Sequence, residues 1–232
     1  MTTKSGELLE LQDKIIRCRL CPRLVTWREE IGKTKAPRFS KDEYWARPLP
    51  SLGDPKARLL IVGLAPAAHG GNRTGRMFAG DRSGDWLYRT LHRFGFANQP
   101  ASISRHDDLK LTDCYITASA RCAPPQNKLL PEELHNCRPY LLQELNLLRN
   151  VRVIVALGRV GFDTVYDSFK TMGSTSLPKR PAFGHGKEYI LNKDRILIAS
   201  YHPSQQNTFT GKLTEKMFDA VFRRASILIN SE

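Results

Sequence analysis

No stretch of this chain approaches the ~18 consecutive apolar residues that a membrane span requires, and its opening MTTKSGELLELQ lacks the apolar centre of a secretory signal. A cytoplasmic protein without a membrane partner is therefore expected. Acidic residues are scarce: 23 Asp and Glu stand against 36 Lys and Arg, a formal net charge of +13. Such an excess favours a polyanionic partner, nucleic acid first, over a merely basic surface, although the charge is spread along the chain. Cysteine is scarce as well. Five in 232 residues do not make a disulfide framework, and in a reducing compartment thiolate ligation is their more natural use. There is no internal repeat, no Walker A pattern and no complete G-x-G-x-x-G in the glycine-rich loop discussed below, so glycines alone make no case for nucleotide binding.

What is present is an alternation of strand and helix patterns in a chain of ordinary composition, 41% hydrophobic and 25% charged, read as one domain over residues 1–232. Apolar runs of strand length occur at Arg58–Val62, Cys114–Thr117, Val151–Leu157 and Arg195–Ser200, with Tyr189–Leu191 as a short added strand. Helical spacing recurs between them. A first helix capped by Ser5 aligns Leu8, Leu11 and Ile15; another starts near Ser83 and Asp85 and carries Leu87, Leu91 and Phe94. A short helix opened by Pro131 delivers Cys137, and Pro139 starts the next, turning Leu141, Leu145 and Leu148 inward. One helix runs through Phe162, Val165 and Phe169, and a last one from about Thr214 buries Phe218, Val221, Phe222 and Ala225. The pattern predicts an α/β fold with a central four-stranded, mostly parallel sheet flanked by helices on both faces. Gly32–Lys56, with four prolines and the aromatics Phe39, Tyr44 and Trp45, reads as a long surface excursion of unassigned purpose.

Open α/β sheets bind ligands outside the carboxyl ends of their strands. The loops leaving Gly63, Ala118, Gly158 and Tyr201 share that edge. The first, GLAPAAHGGNRTGRMFAGDRSGDWLY, holds six glycines, the flat side chains Phe78 and Trp86, the carboxylates Asp81 and Asp85, and Arg73, Arg76 and Arg82. Glycines permit close approach of another molecule, and the other groups suit a base-and-phosphate ligand. Later loops bring Asn127 and His202 to the same edge. Four cysteines, Cys18-x2-Cys21 and Cys122-x14-Cys137, suit a tetrahedral thiolate site, for which zinc and a [4Fe–4S] cluster are both acceptable. Cys114 lies in a strand and reads as a buried apolar residue.

The glycine-rich segment, the cysteine placement with RCAPPQNK, and HPSQQNTFTGKLT together resemble the iron–sulfur uracil-DNA glycosylases of the family 5 type, from Leu9 to about Leu228. The resemblance implies that Cys18, Cys21, Cys122 and Cys137 hold a structural [4Fe–4S] cluster. It implies a partner, DNA containing uracil or another deaminated base, and hydrolysis of the N-glycosidic bond to leave an abasic site. Gly63, Ala65 and Phe78 would then surround the flipped base, with Phe78 stacked on it and Asn207 as a further pocket or strand contact. His202 would donate to the base O2, while Asp81 and Asn127 position the water and Asp81 counters the sugar cation. Ser204, Gln205 and Gln206 would wedge into the duplex, and Arg73, Arg76, Lys128 and Lys212 would meet phosphates. Family 4 relatives carry a glutamate where this chain has Leu64 and an asparagine where it has Ala118. Both departures remove polar groups from the base pocket and point to broader acceptance of damaged bases, hypoxanthine among them. Two other readings stand beside this one: a non-catalytic, cluster-stabilised module that binds DNA damage, and a zinc-stapled nucleotide-binding protein. Nothing demands a dimer, so a monomer is expected.

Overall fold

A computed structural model describes residues 4–231. Its centre is a sheet whose strands are β1 (Leu52–Gly53), β2 (Leu59–Gly63), β3 (Cys114–Ala118), β4 (Val153–Leu157), β5 (Glu188–Asn192) and β6 (Arg195–Ser200), in the order β1-β3-β2-β4-β6-β5. The four inner strands are parallel, as the apolar runs predict. The sheet is nevertheless six-stranded, because antiparallel β1 and β5 border it. β5 is the short added strand, lengthened at both ends. β1 lies hidden in the Gly32–Lys56 excursion: two residues, one of them glycine, set between Pro50 and Pro55, carry no periodicity to read.

Every residue of β2, β3 and β4 is buried. Side chains alternate across the sheet, so Leu59 and Ile61 enter one core while Leu60 and Val62 enter the other. The first core is covered by α4 (Arg82–Arg93), through Trp86, Leu87 and Leu91, and by α8 (Glu215–Asn230), through Phe218, Val221, Phe222 and Ala225. The second is covered by α1 (Lys4–Ile16), by α5 (Pro131–Leu147), through Leu141 and Leu145, and by α6 (Arg159–Thr171), through Phe162, Val165 and Phe169. Because α4 follows β2 on one face and α6 follows β4 on the other, their departing loops part at the carboxyl edge and leave a crevice between them.

Several helix boundaries differ from expectation. Ser5 lies inside the first turn of α1 rather than at its cap. Pro22 stands at the first position of an unpredicted helix, α2 (Pro22–Thr34), where its missing N–H costs nothing. Pro139 does not start a new helix; α5 runs through it, since a proline removes one internal bond locally while Glu133, Cys137, Leu141 and Leu145 bury the turns on either side. The cap of α4 is Asp81, not Ser83. Two single turns, α3 (Gly71–Thr74) and α7 (Gln205–Phe209), occupy segments read as loops.

Candidate active site

The exits of β2 and β3 are fastened together. The Ser119 amide and hydroxyl both donate to the Gly63 carbonyl, at 2.9 and 3.0 Å, and the Ala120 amide donates to the Leu64 carbonyl at 3.0 Å. Gly63 and Ala118 are register partners, so two small residues lie side by side at the floor of the crevice. Phe78 comes down onto that floor in a left-handed backbone conformation, φ +57°. A Cβ on Gly63 would stand 2.7 Å from the Phe78 ring, and one on Gly84 would collide with the Phe78 carbonyl. The loop closes this tightly only because both positions are glycine.

His202 follows β6 and lies beside Phe78, ring centroids 6.1 Å apart and planes inclined by 26°. A Cβ on Gly158 would lie 3.3 Å from the His202 Cβ, so the glycine lets the histidine loop pack closely. Desolvation lowers the imidazole pKa to about 4, leaving a neutral ring able to donate one N–H without delivering a charge. The side-chain amide of Asn207 donates to the His202 carbonyl at 2.9 Å, so Asn207 fastens the histidine loop.

Asp81 sits half-buried where the same loop meets α4. Its carboxylate accepts from the Gly84 amide at 3.1 Å, and Gly70 backs it so closely that no side chain fits between them. Burial pushes the Asp81 pKa up, opposed by the Gly84 and Ser83 amides. The next residue ties the two sides of the crevice together: Arg82 donates to Thr208 Oγ at 3.3 Å and lies 4.3 Å above the exposed Phe209 ring.

The structure thus gathers Gly63, Phe78, Asp81, His202 and Asn207 at one edge. Ala65 is half-buried on the same loop. Asn127 is more distant in character: it ends a 3₁₀ turn, exposed, in left-handed conformation, and no side-chain hydrogen bond joins it to the other candidates among the described residues. Ser204 caps α7 through the Asn207 amide, Gln205 and Gln206 are exposed beyond it, and Lys212 reaches the Tyr201 ring at 5.0 Å. Lys128 is exposed as well. Arg73 and Arg76 differ from expectation. Arg73 is paired with Asp42 at 2.7 Å and Arg76 with Asp107, with side chains only 14% and 12% exposed, so each charge is already answered inside the protein.

The four cysteines Cys18, Cys21, Cys122 and Cys137 are free and line one cavity between α2, α5 and the loop after β3. Burial raises the Cys122 thiol to about 12 and Cys137 to about 11, so thiolates here require a compensating positive centre. Arg28, 2% exposed, donates to Cys122 Sγ at 2.9 Å and to the Cys18 carbonyl at 3.3 Å. Among the described residues no three His, Cys, Asp or Glu side chains converge as ligands of a single ion would; the thiols are spread around the cavity. Arg28 escaped the sequence reading, although it lies seven residues after Cys21 on one helical face, a spacing that could have exposed it once α2 was recognised.

A sheet with a parallel core, a glycine-rich loop, a stacked phenylalanine–histidine pair and a half-buried carboxylate at its carboxyl edge defines the class. Residues 50–226 match the family model of the uracil DNA glycosylase superfamily. The type-5 uracil-DNA glycosylase of Thermus thermophilus is 51% identical over 91% of this chain and 93% of its own length. That of Mycobacterium tuberculosis is 48% identical over 98% and 84%. A type-4 enzyme, from Archaeoglobus fulgidus, is 31% identical over 84% and 83%. The chain belongs to the type-5 family of this superfamily.

Proposed function

We propose that this one-domain protein acts as a monomer on uracil-containing DNA, hydrolysing the N-glycosidic bond of a base turned out of the duplex and leaving an abasic site. The observation that carries the reading is the Phe78–His202 pair set over the Gly63–Ala118 floor, with Asp81 at the entrance to α4. A base that leaves the stack needs a flat partner and a polar edge contact. Phe78 supplies the first and the neutral His202 N–H the second. As the bond breaks, negative charge builds on the base and positive charge on the sugar; the fixed donor meets one and the Asp81 carboxylate the other. Asp81 and Asn127 orient the attacking water. Gln205 and Gln206, exposed on α7, enter the gap in the duplex, while Lys128 and Lys212 meet phosphates.

Leu64 and Ala118 leave the pocket without the polar groups of the family 4 pattern, which supports acceptance of hypoxanthine besides uracil. The cysteine cavity fits a [4Fe–4S] cluster: its four donors are thiols, one for each iron, and the buried Arg28 guanidinium faces them as a counter-charge. Cys18, Cys21, Cys122 and Cys137 would hold it, and its contribution is to fasten α2, α5 and the loop after β3.

The test is base release from labelled duplexes carrying one uracil, opposite guanine or adenine, or one hypoxanthine. Strand breaks that need alkali are expected, as for a hydrolytic enzyme. No release from any substrate by iron-loaded protein would leave the damage-binding module in its place.

A further inference from the structure

The Gly32–Lys56 excursion supplies none of the candidate site residues, yet Asp42, Glu43, Tyr44, Trp45 and Arg47 form one wall of a second cavity, with Ile103–His106 opposite and Arg73 and Thr74 between. Trp45 is pinned there: its ring N–H donates to the Pro48 carbonyl at 3.1 Å and its amide to the Arg73 carbonyl at 3.0 Å. The Arg105 and Arg47 guanidiniums lie 4.5 and 5.6 Å from the Trp45 ring centroid. Both arginines are exposed or nearly so, and among the described residues neither has a carboxylate partner, in contrast to Arg73 with Asp42 and Arg76 with Asp107. Arg105 spends only its Nε, on His106 at 2.9 Å. With Asp42 neutralised by Arg73, Glu43 is the one opposing charge in the wall.

A guanidinium laid against a fixed aromatic ring loses little further freedom when it binds, and its outward N–H groups match phosphate oxygens. The cavity also adjoins the catalytic loop. A Cβ on Gly75 would lie 3.1 Å from Arg105 and 3.2 Å from Trp45, and the Gly80 amide donates to the Ser102 carbonyl at 3.2 Å. From Gly75 to Phe78 the backbone spans at most about 11 Å, on the order of three phosphate steps of a DNA strand. We propose that Arg47 and Arg105, carried on Trp45, bind backbone phosphodiesters of the duplex flanking the base held by Phe78. The inference rests on the DNA-glycosylase reading and gives the excursion its purpose.

The variant Arg47→Ala/Arg105→Ala should weaken binding to a uracil-free duplex about tenfold at low salt. The slope of log affinity against log salt should fall by about 1.8, the value for two phosphates. Single-turnover uracil release at saturating enzyme should be unchanged, and Glu43→Gln should tighten binding. Arg149→Ala/Arg223→Ala removes two exposed, unpaired charges elsewhere and should cost much less. Equal losses from both double variants would mean a diffuse field, and no loss from the first would mean no site; either overturns the proposal. A wild-type protein that binds the duplex through Arg47 and Arg105 but releases no uracil would instead sink the glycosylase reading alone.

Discussion

Asp81 caps α4, and in the proposed mechanism the same carboxylate counters the sugar cation; the two roles pull in opposite directions. As the cap of α4 it accepts the Gly84 amide, which asparagine does equally well. As a half-buried, partly desolvated charge it carries a raised pKa. For an acid the sign is plain: the folded state holds the proton more tightly than the unfolded state, so stability declines as pH rises from the ordinary aspartate range through the raised value. The cost grows with pH above the unfolded aspartate value and is complete once pH exceeds the raised one. Asp81→Asn should therefore melt higher than the wild type at pH 7, the gap closing as pH falls toward the unfolded aspartate value, while base release drops roughly a hundredfold. Asp81→Ala forfeits the cap as well, about 1 kcal/mol. An Asp81→Asn protein that melts lower at pH 7 would show that the carboxylate is not an electrostatic burden. His202, neutral down to about pH 4, should contribute no limb to the rate profile between pH 5 and 8. The acid limb should belong to Asp81 and vanish in Asp81→Asn.

At the scale of elements, the crevice depends on how closely the glycine-rich loop folds back on itself. Gly84 sits in the first turn of α4 against the Phe78 carbonyl, with no room for a methyl group. Its clash is with backbone, which no rotamer change relieves. Gly84→Ala should cost upward of about 3 kcal/mol and displace Phe78 from His202, read as a fall in both melting temperature and release rate. Gly95→Ala, where nothing lies within 4 Å, carries only the strain of a positive φ and serves as control. The same closeness explains what the sequence made legible. The four parallel strands, the stripes of α4 and α8, and the convergence of Phe78 and His202 follow from apolar periodicity and from the rule that loops share the carboxyl edge. β1 was invisible because it is two residues long, and α2 because its apolar face also carries Arg28. The inward turn of Arg73 and Arg76 could not be read either: an arginine looks the same in sequence whether it meets a phosphate or, as here, Asp42 and Asp107.

For the molecule as a whole, the cysteine cavity poses a question of charge balance that stability can answer. Arg28 is buried with its Nε unpartnered, and Glu29, the nearest carboxylate, is 3.8 Å away and itself 36% exposed. A buried guanidinium answered only by this one long, partly exposed contact is costly, whereas four thiolates around a cluster would supply a close counter-charge. Iron-free protein should consequently be burdened by Arg28, and iron-loaded protein should depend on it. Arg28→Met is expected to raise the melting temperature of the iron-free form and lower that of the loaded form. The inversion follows from electrostatics alone, since the change in packing is the same in both. Iron content and the broad visible absorption of thiolate-bound iron report which form is in hand. A shift of the same sign in both forms would mean that Arg28 is held by its packing and by the Cys18 carbonyl, and that the cavity carries no net negative charge when filled.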